Sequence, residues 1–174
     1  MTFTIPTIET ERLILRGLVE NDFEAIAASF ADAEYSKGFG GPLNRSKAWR
    51  WFASVLGHWV LRGYGFWSVE EKATGAFLGN VGIWNPEGWP EPELGWMLNK
   101  SATGKGIAYE AAIAAREYAY GPLGMTTLIS CIAPWNAPSI ALAKRLGAEY
   151  ESTYQNEMHG EMHIYRHPSP EALS

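Results

Sequence analysis

Between residues 21 and 30 the apolar positions Phe23, Ile26, Ala27 and Phe30 recur at helical spacing, with polar residues between them. A helix is predicted there, capped by Asn21 or Asp22 and preceded by a short strand at Leu13, Ile14 and Leu15. The run Lys37-Gly38-Phe39-Gly40-Gly41-Pro42 breaks the pattern, and Ser46 then precedes Trp49, Phe52, Ala53, Leu56 and Val60, the stripe of a second helix. From Gly65 the character turns strand-like. Strands are predicted at 66–69, 76–84 and 93–98, joined as hairpins through Ala73-Thr74-Gly75 and Asn85-Pro86-Glu87-Gly88. A glycine-rich turn leads into a third helix over 106–119, where Ile107, Ala111, Ala115 and Tyr118 make one stripe and the alanines beside it favour close packing on a sheet. A buried strand follows at 126–132. The helix at 136–146 has Asn136 as N-cap, Pro138 in its first turn and Gly147 as its left-handed stop. Two last strands are expected around Tyr150 and over 157–165.

No repeat, low-complexity tract or linker interrupts this order, and 174 residues suit a single domain over 1–174. With 47% hydrophobic and 19% charged residues the chain has a globular balance, which excludes a disordered or fibrous protein. A formal charge of −5 argues against nucleic-acid binding through a broad basic surface. The lone Cys131 has no partner for an internal disulfide and sits in an apolar run, as a packing residue would. The first sixteen residues have no apolar stretch of signal-peptide length, and no run approaches the roughly 20 apolar residues of a membrane span. A cytoplasmic protein with no membrane partner is expected.

Two places hold candidate chemistry. In the first, the strand Glu93-Leu94-Gly95-Trp96-Met97-Leu98 is followed by Thr103-Gly104-Lys105-Gly106-Ile107-Ala108 and the alanine-rich helix. A helix amino terminus carries unpaired N–H groups and partial positive charge, and glycines let a phosphate approach them closely. The turn is anion-binding architecture or simply a helix start. Two phosphate-loop patterns fail on their residues. A Walker loop needs Ser or Thr after Gly-Lys, where Gly106 stands, and a first glycine where Asn99 stands; the Rossmann fingerprint needs glycine at Tyr109. In the second place, Asn136-Ala137-Pro138-Ser139 through Leu146-Gly147-Ala148 follows Ala133-Pro134-Trp135, and by itself it reads as an ordinary capped amphipathic helix.

Taken together, the glycine-rich turn and the Asn-x-x-Ser helix ending Leu-Gly, about 30 residues apart, resemble the two cofactor motifs of the GNAT acetyltransferase superfamily. The resemblance covers nearly the whole chain. Glu9-Thr10-Glu11-Arg12-Leu13-Ile14-Leu15-Arg16, Glu93-Leu94-Gly95-Trp96, Gly104 through Ala111 and Tyr165-Arg166-His167-Pro168 look like the ribosomal-protein (RimJ/RimL type) N-acetyltransferase branch. This implies an α+β fold: a mixed, mostly antiparallel sheet of about six to seven strands with a splayed central pair, flanked by about four helices.

The resemblance also implies an acetyl-CoA dependent N-acetyltransferase acting on a primary amine, either a protein N-terminus or a small molecule, by direct attack in a ternary complex. The different-class alternative is a non-catalytic module binding acyl-CoA or an aromatic ligand on the same fold. The pyrophosphate would lie on the amides of Thr103, Gly104, Lys105, Gly106, Ile107 and Ala108. The acyl arm would follow Met97, Leu98 and Asn99, with Asn136, Ser139 and Lys144 completing the cofactor set. Lys144 and Arg145 would meet a peripheral phosphate or simply give the last helical turn its positive charge. In two places the chain departs from the superfamily. Thr103 replaces the Gln or Arg that often opens the pyrophosphate loop, and Ala143 stands where a Tyr often protonates the leaving thiolate. Ser139 is the nearest substitute for that acid.

An alkyl amine with a pKa of roughly 10.4 is almost wholly protonated at pH 7, so a base assists its attack; Glu93, on the strand lining the cleft, is the candidate. His159, Glu161 and His163 would share one strand face at a spacing that suits zinc, but no cysteine pair or His-Glu-x-x-His helix accompanies them, and no metal is expected. The eight tryptophans are mainly core, while Trp84, Trp89 and Trp135 near loops are candidates for an aromatic acceptor wall. A homodimer is the one assembly left open.

Overall fold

The computed structural model describes residues 3–174. The chain runs β1 (Ile8–Glu9), β2 (Leu13–Arg16), α1 (Phe23–Ala31), α2 (Ala33–Ser36), α3 (Arg45–Arg62), β3 (Phe66–Glu71), β4 (Phe77–Trp84), β5 (Glu93–Leu98), α4 (Ile107–Tyr120), β6 (Ile129–Ile132), α5 (Ala137–Arg145), β7 (Glu149–Asn156), β8 (Gly160–Arg166) and α6 (Pro170–Leu173). The strands form one sheet ordered β1-β2-β3-β4-β5-β6-β8-β7. Every adjacent pair is antiparallel except β5 and β6, which are parallel and share the single register pair Glu93–Ile129.

This is the α+β architecture expected, with more elements than the expected six to seven strands and four helices. β1 has only two residues, too short for periodicity to mark. β7, Glu-Tyr-Glu-Ser-Thr-Tyr-Gln-Asn, is an edge strand exposed over most of its length, so it carries little alternation. α2 and α6 are single turns. β6 begins at Ile129, not 126; the chain leaving α4 is first held in a turn, with Met125 N–H donating to the Ala119 carbonyl at 2.9 Å.

Strand alternation divides the core. Leu13, Leu15, Val69, Val81, Ile83 and Leu94 meet Ala111, Ala112 and Ala115 of α4, whose small side chains admit the close approach their spacing predicts. Phe66, Trp84 and Met97 pack with Phe23, Ile26 and Phe30 of α1 and Phe52 and Val55 of α3. Asn44 caps α3 by accepting from Lys47 N–H, so this helix begins at Arg45, one residue before Ser46. Among the described residues no helix is long and apolar enough to cross a membrane.

An ion pair between the buried Asp22 and the half-buried Arg16 fastens α1 to the sheet. Arg16 donates twice to Asp22 at 2.9 Å and once to Glu70 at 2.6 Å, while Ser68 Oγ and Val19 N–H also donate to Asp22. Burial raises the Asp22 pKa, but the bonds from Arg16, Ser68 and Val19 outweigh it and hold the carboxyl below its usual range. Its contribution to stability is therefore present above the unfolded-state pKa and lost as pH falls through the folded-state value. Asp22→Asn leaves Arg16 incompletely paired; in urea unfolding at pH 7 the variant is expected to lose about 3–5 kcal/mol, a deficit that shrinks in acid. Equal stability at pH 7 would contradict this.

Candidate active site

The parallel pair defines the site. β5 and β6 start side by side at Glu93 and Ile129 and then separate, so the far half of β5 has β4 on one side and no strand on the other. Asn99 N–H donates to the Leu78 carbonyl, which fixes the phase of the β4–β5 ladder. By alternation, Met97 and Asn99 turn their main-chain groups toward β4, and Leu94, Trp96 and Leu98 turn theirs into the opening. Two bonds confirm the phase: Ser130 Oγ donates to the Leu94 carbonyl at 2.6 Å, and the Tyr35 hydroxyl donates to the Leu98 carbonyl.

A cavity of about 660 Å³ fills the mouth of this fork. Its floor is Trp96, Met97 and Leu98, one wall is the glycine turn and the start of α4, and the other is Trp135, Asn136 and the first turns of α5. Tyr35 and Phe39 close it from the α2 side. Gly104 and Gly106 both have φ of +75°, the left-handed region that β-carbons disfavour. Gly106 is the N-cap of α4 and no side chain caps this helix. The first N–H groups of a 14-residue helix therefore open toward the cavity with their dipole.

The opening residues of the chain hold this turn in place. Glu110 accepts from Thr10 Oγ1 at 2.6 Å, Arg12 N–H at 2.9 Å and Arg12 Nε at 2.7 Å, and Arg12 also donates to the Lys105 carbonyl at 3.0 Å. The Thr-Glu-Arg-Leu stretch is thus a clasp between the first strands and the glycine turn.

Of the sequence-predicted cofactor residues, Met97, Leu98, Thr103, Gly104, Gly106, Ile107, Ala108, Asn136 and Ser139 all line the cavity. Three do not. Asn99 is committed to β4, its N–H to Leu78 and its side-chain amide to the Phe77 carbonyl at 2.8 Å. Lys105 points outward, and Lys144 lies on the exposed side of α5, while Arg145 lines the cavity with its guanidinium 3.9 Å from the Tyr109 ring centre. Ala143 is fully buried against Ile132 and Tyr165, so its position faces packing instead of the cavity.

Ser139 Oγ accepts from the Trp96 indole N–H at 3.2 Å, which leaves its own O–H free to donate into the cavity. Trp96 and Tyr35 escaped the sequence reading. The strand register marks Trp96, but nothing local marks Tyr35. Glu93 belongs to the opposite face of the sheet, at the closed end of the fork. Its carboxylate accepts from Trp89 Nε1 at 3.0 Å and Cys131 N–H at 2.9 Å. Burial pushes its pKa above the usual carboxylate range, against those two bonds. Burial also raises the Cys131 thiol and the Tyr154 hydroxyl beside it.

The other aromatic and metal expectations sort differently. Trp84 is core, stacked on His58 at 4.5 Å, while Trp135 lines the cavity. His159 lies in the turn before β8, against Trp89, so it does not share a strand face with Glu161 and His163. Among the described residues no group of three His, Cys, Asp or Glu could hold a metal ion.

The sheet is forked at its one parallel pair, with a bare helix N-terminus at the mouth. The acetyltransferase (GNAT) domain matches residues 12–149, and the chain belongs to that family, whose members transfer acyl groups from acetyl-CoA. It is 36% identical to an acetyltransferase from Agrobacterium tumefaciens str. C58 of known crystal structure, covering 97% of both chains with a TM-score of 0.87. It is 30% identical over 149 residues to the uncharacterized N-acetyltransferase YnaD of Bacillus subtilis, covering 85% of each. Ribosomal-protein-S5-alanine acetyltransferase from Vibrio fischeri shares the fold, with a TM-score of 0.73 at 16% identity over 97% of this chain and 99% of that one.

Proposed function

We propose that the protein is an acetyl-CoA dependent N-acetyltransferase of the RimJ/RimL type, transferring acetyl to a primary amine by direct attack in a ternary complex. The observation that carries this is one cavity bordered by the uncapped N-terminus of α4, the open edge of β5 and the Ser139 hydroxyl. The residues fit acetyl-CoA. The amides of Gly106, Ile107 and Ala108 face where an anion is stabilised, and Arg145, not Lys144, is the cation on the cavity wall. Trp96 N–H and C=O and Leu98 N–H are unpaired by any strand, as an amide-bearing acyl arm requires. When bound, acetyl-CoA supplies a thioester carbonyl as the electrophile.

Glu93 serves the amine. Its two hydrogen bonds leave lone pairs on both carboxylate oxygens, and a water bridging to the amine delivers the proton to it. Ser139 serves the sulfur from the other face of the sheet, donating its O–H to the developing thiolate. A protein N-terminus and a small-molecule amine both meet these requirements, in a cytoplasmic setting.

Ser139→Ala tests the assignment. Turnover is expected to fall roughly 3- to 100-fold, as for loss of one hydrogen bond to developing charge, with coenzyme A affinity unchanged. The loss stays modest because a thiolate is already a good leaving group. Wild-type turnover would reduce Ser139 to a helix-start residue.

A further inference from the structure

Beyond the Glu93–Ile129 pair, a continuing parallel ladder would put the Cys131 N–H on the Leu94 carbonyl. That bond is replaced by two side chains. Cys131 N–H meets the Glu93 carboxylate, and the Leu94 carbonyl accepts from Ser130 Oγ. The strands part at this point.

Behind Ser130 runs a buried polar chain. His167 Nε2 lies 2.8 Å from Ser130 Oγ, and Arg116 approaches His167 Nδ1 at 3.4 Å while donating to the Leu146 carbonyl at 2.6 Å. Arginine has only donors, so Nδ1 accepts. Burial, with the Arg116 charge, pushes the His167 pKa down to about 3, so the ring is neutral and carries its one proton on Nε2. Nε2–H then donates to Ser130, whose O–H points at Leu94. Every bond runs in one direction from Arg116 to the fork. Ser130 is 1%, His167 2% and Arg116 7% exposed, and among the described residues Arg116 has no carboxylate partner. Its charge faces the C-terminal end of α5, the helix that carries Ser139.

We propose that Arg116, His167 and Ser130 form a positioning chain that sets the opening of the β5–β6 fork and the seating of α5, and thereby aligns Trp96 and Ser139 with the thioester. This rests on the acetyl-transfer reading above. The chain touches neither the cavity's anion site nor the reacting atoms. Its loss displaces both arms of the fork slightly, and misplacement by about 1 Å costs on the order of 100-fold in rate.

Ser130→Ala, His167→Leu and His167→Gln separate positioning from simple stability. Gln keeps an N–H near the Nε2 position, whereas Leu does not. In Ser130→Ala and His167→Leu, kcat is expected to fall about 100-fold with the coenzyme A dissociation constant within about 3-fold of wild type, and His167→Gln is expected to restore kcat to within about 10-fold. A second readout is independent of turnover. With 5-fluorotryptophan incorporated and the Trp96 signal assigned through Trp96→Phe, the Trp96 fluorine resonance is expected to shift in Ser130→Ala and His167→Leu and to return in His167→Gln. If Ser130→Ala does not fold, the two His167 variants carry the comparison. Wild-type kcat with an unmoved Trp96 resonance in the folded variants overturns the proposal, as does coenzyme A affinity that falls in step with kcat. Should the wild-type protein release no thiol with any amine, the acetyl-transfer reading fails by itself, and the fluorine resonance still decides the chain.

Discussion

Glu93→Gln is expected to lower the rate with an alkyl amine at pH 7 by about 10²–10⁴-fold, the usual worth of a general base. The size depends on the acceptor. An alkyl amine with a pKa of roughly 10.4 is only about four parts in ten thousand neutral at pH 7, whereas a peptide α-amine at roughly 7.7–8.0 already has a useful neutral fraction, so its penalty is smaller. The wild-type profile should carry an acid limb above the ordinary glutamate range, because burial raises the Glu93 pKa and the carboxylate is the active form. Activity is lost as pH falls through that value. In Glu93→Gln the limb disappears and the rate climbs with pH as the amine deprotonates unaided. Gln keeps one acceptor for the two donors, Trp89 Nε1 and Cys131 N–H, so the variant also loses about 1–3 kcal/mol of stability and is assayed well below its melting point. Parallel profiles with equal rates would make Glu93 a spacer in the fork and leave positioning as the main catalytic effect.

Gly106→Asp is expected to weaken coenzyme A binding by at least about 100-fold, or about 2.7 kcal/mol. Asp is the substitution that isolates the anion site. Its carboxylate lies beside the first helix amides, and Asp is among the residues that best tolerate the left-handed conformation Gly106 adopts. A β-carbon here meets Arg12 at 3.5 Å, an ordinary contact, so the strain of the substitution comes from the φ of +75° and not from crowding. The folded variant then offers a negative charge where the pyrophosphate would lie. Titration calorimetry with coenzyme A checks this, and unchanged affinity in a folded Gly106→Asp would remove the α4 amides from the site.

The helices that wall the cavity were legible because each carries its own signal. The alanine stripe of α4 and the Asn136, Pro138 and Gly147 punctuation of α5 are local, and local pattern is what periodicity reads. The fork is a pairing of strands separated by 30 residues of turn and helix, and nothing in either strand states its partner. Trp96 and Asn99 illustrate the cost. Which of them opens into the cavity depends on the β4–β5 register, and that is set by the Leu78–Asn99 pair on a neighbouring strand. His159 shows the same limit in reverse, since a regular alternation over 159–163 looks like one strand face until the turn at 157–159 removes its first member. Glu93 was visible as a carboxylate on the right strand, but its two donors come from Trp89 and from Cys131 of β6, and its raised pKa follows from burial that no local window reports.

Acetyl transfer itself is tested most directly by incubating the purified protein with acetyl-CoA and a panel of alkyl amines and N-terminal peptides, following free thiol and acceptor mass together. Thiol release is expected only when an acceptor is present, matched one for one by a single acetyl added to that acceptor. Saturable coenzyme A binding with no thiol released for any amine would contradict an N-acetyltransferase and leave a binding module on the same fold.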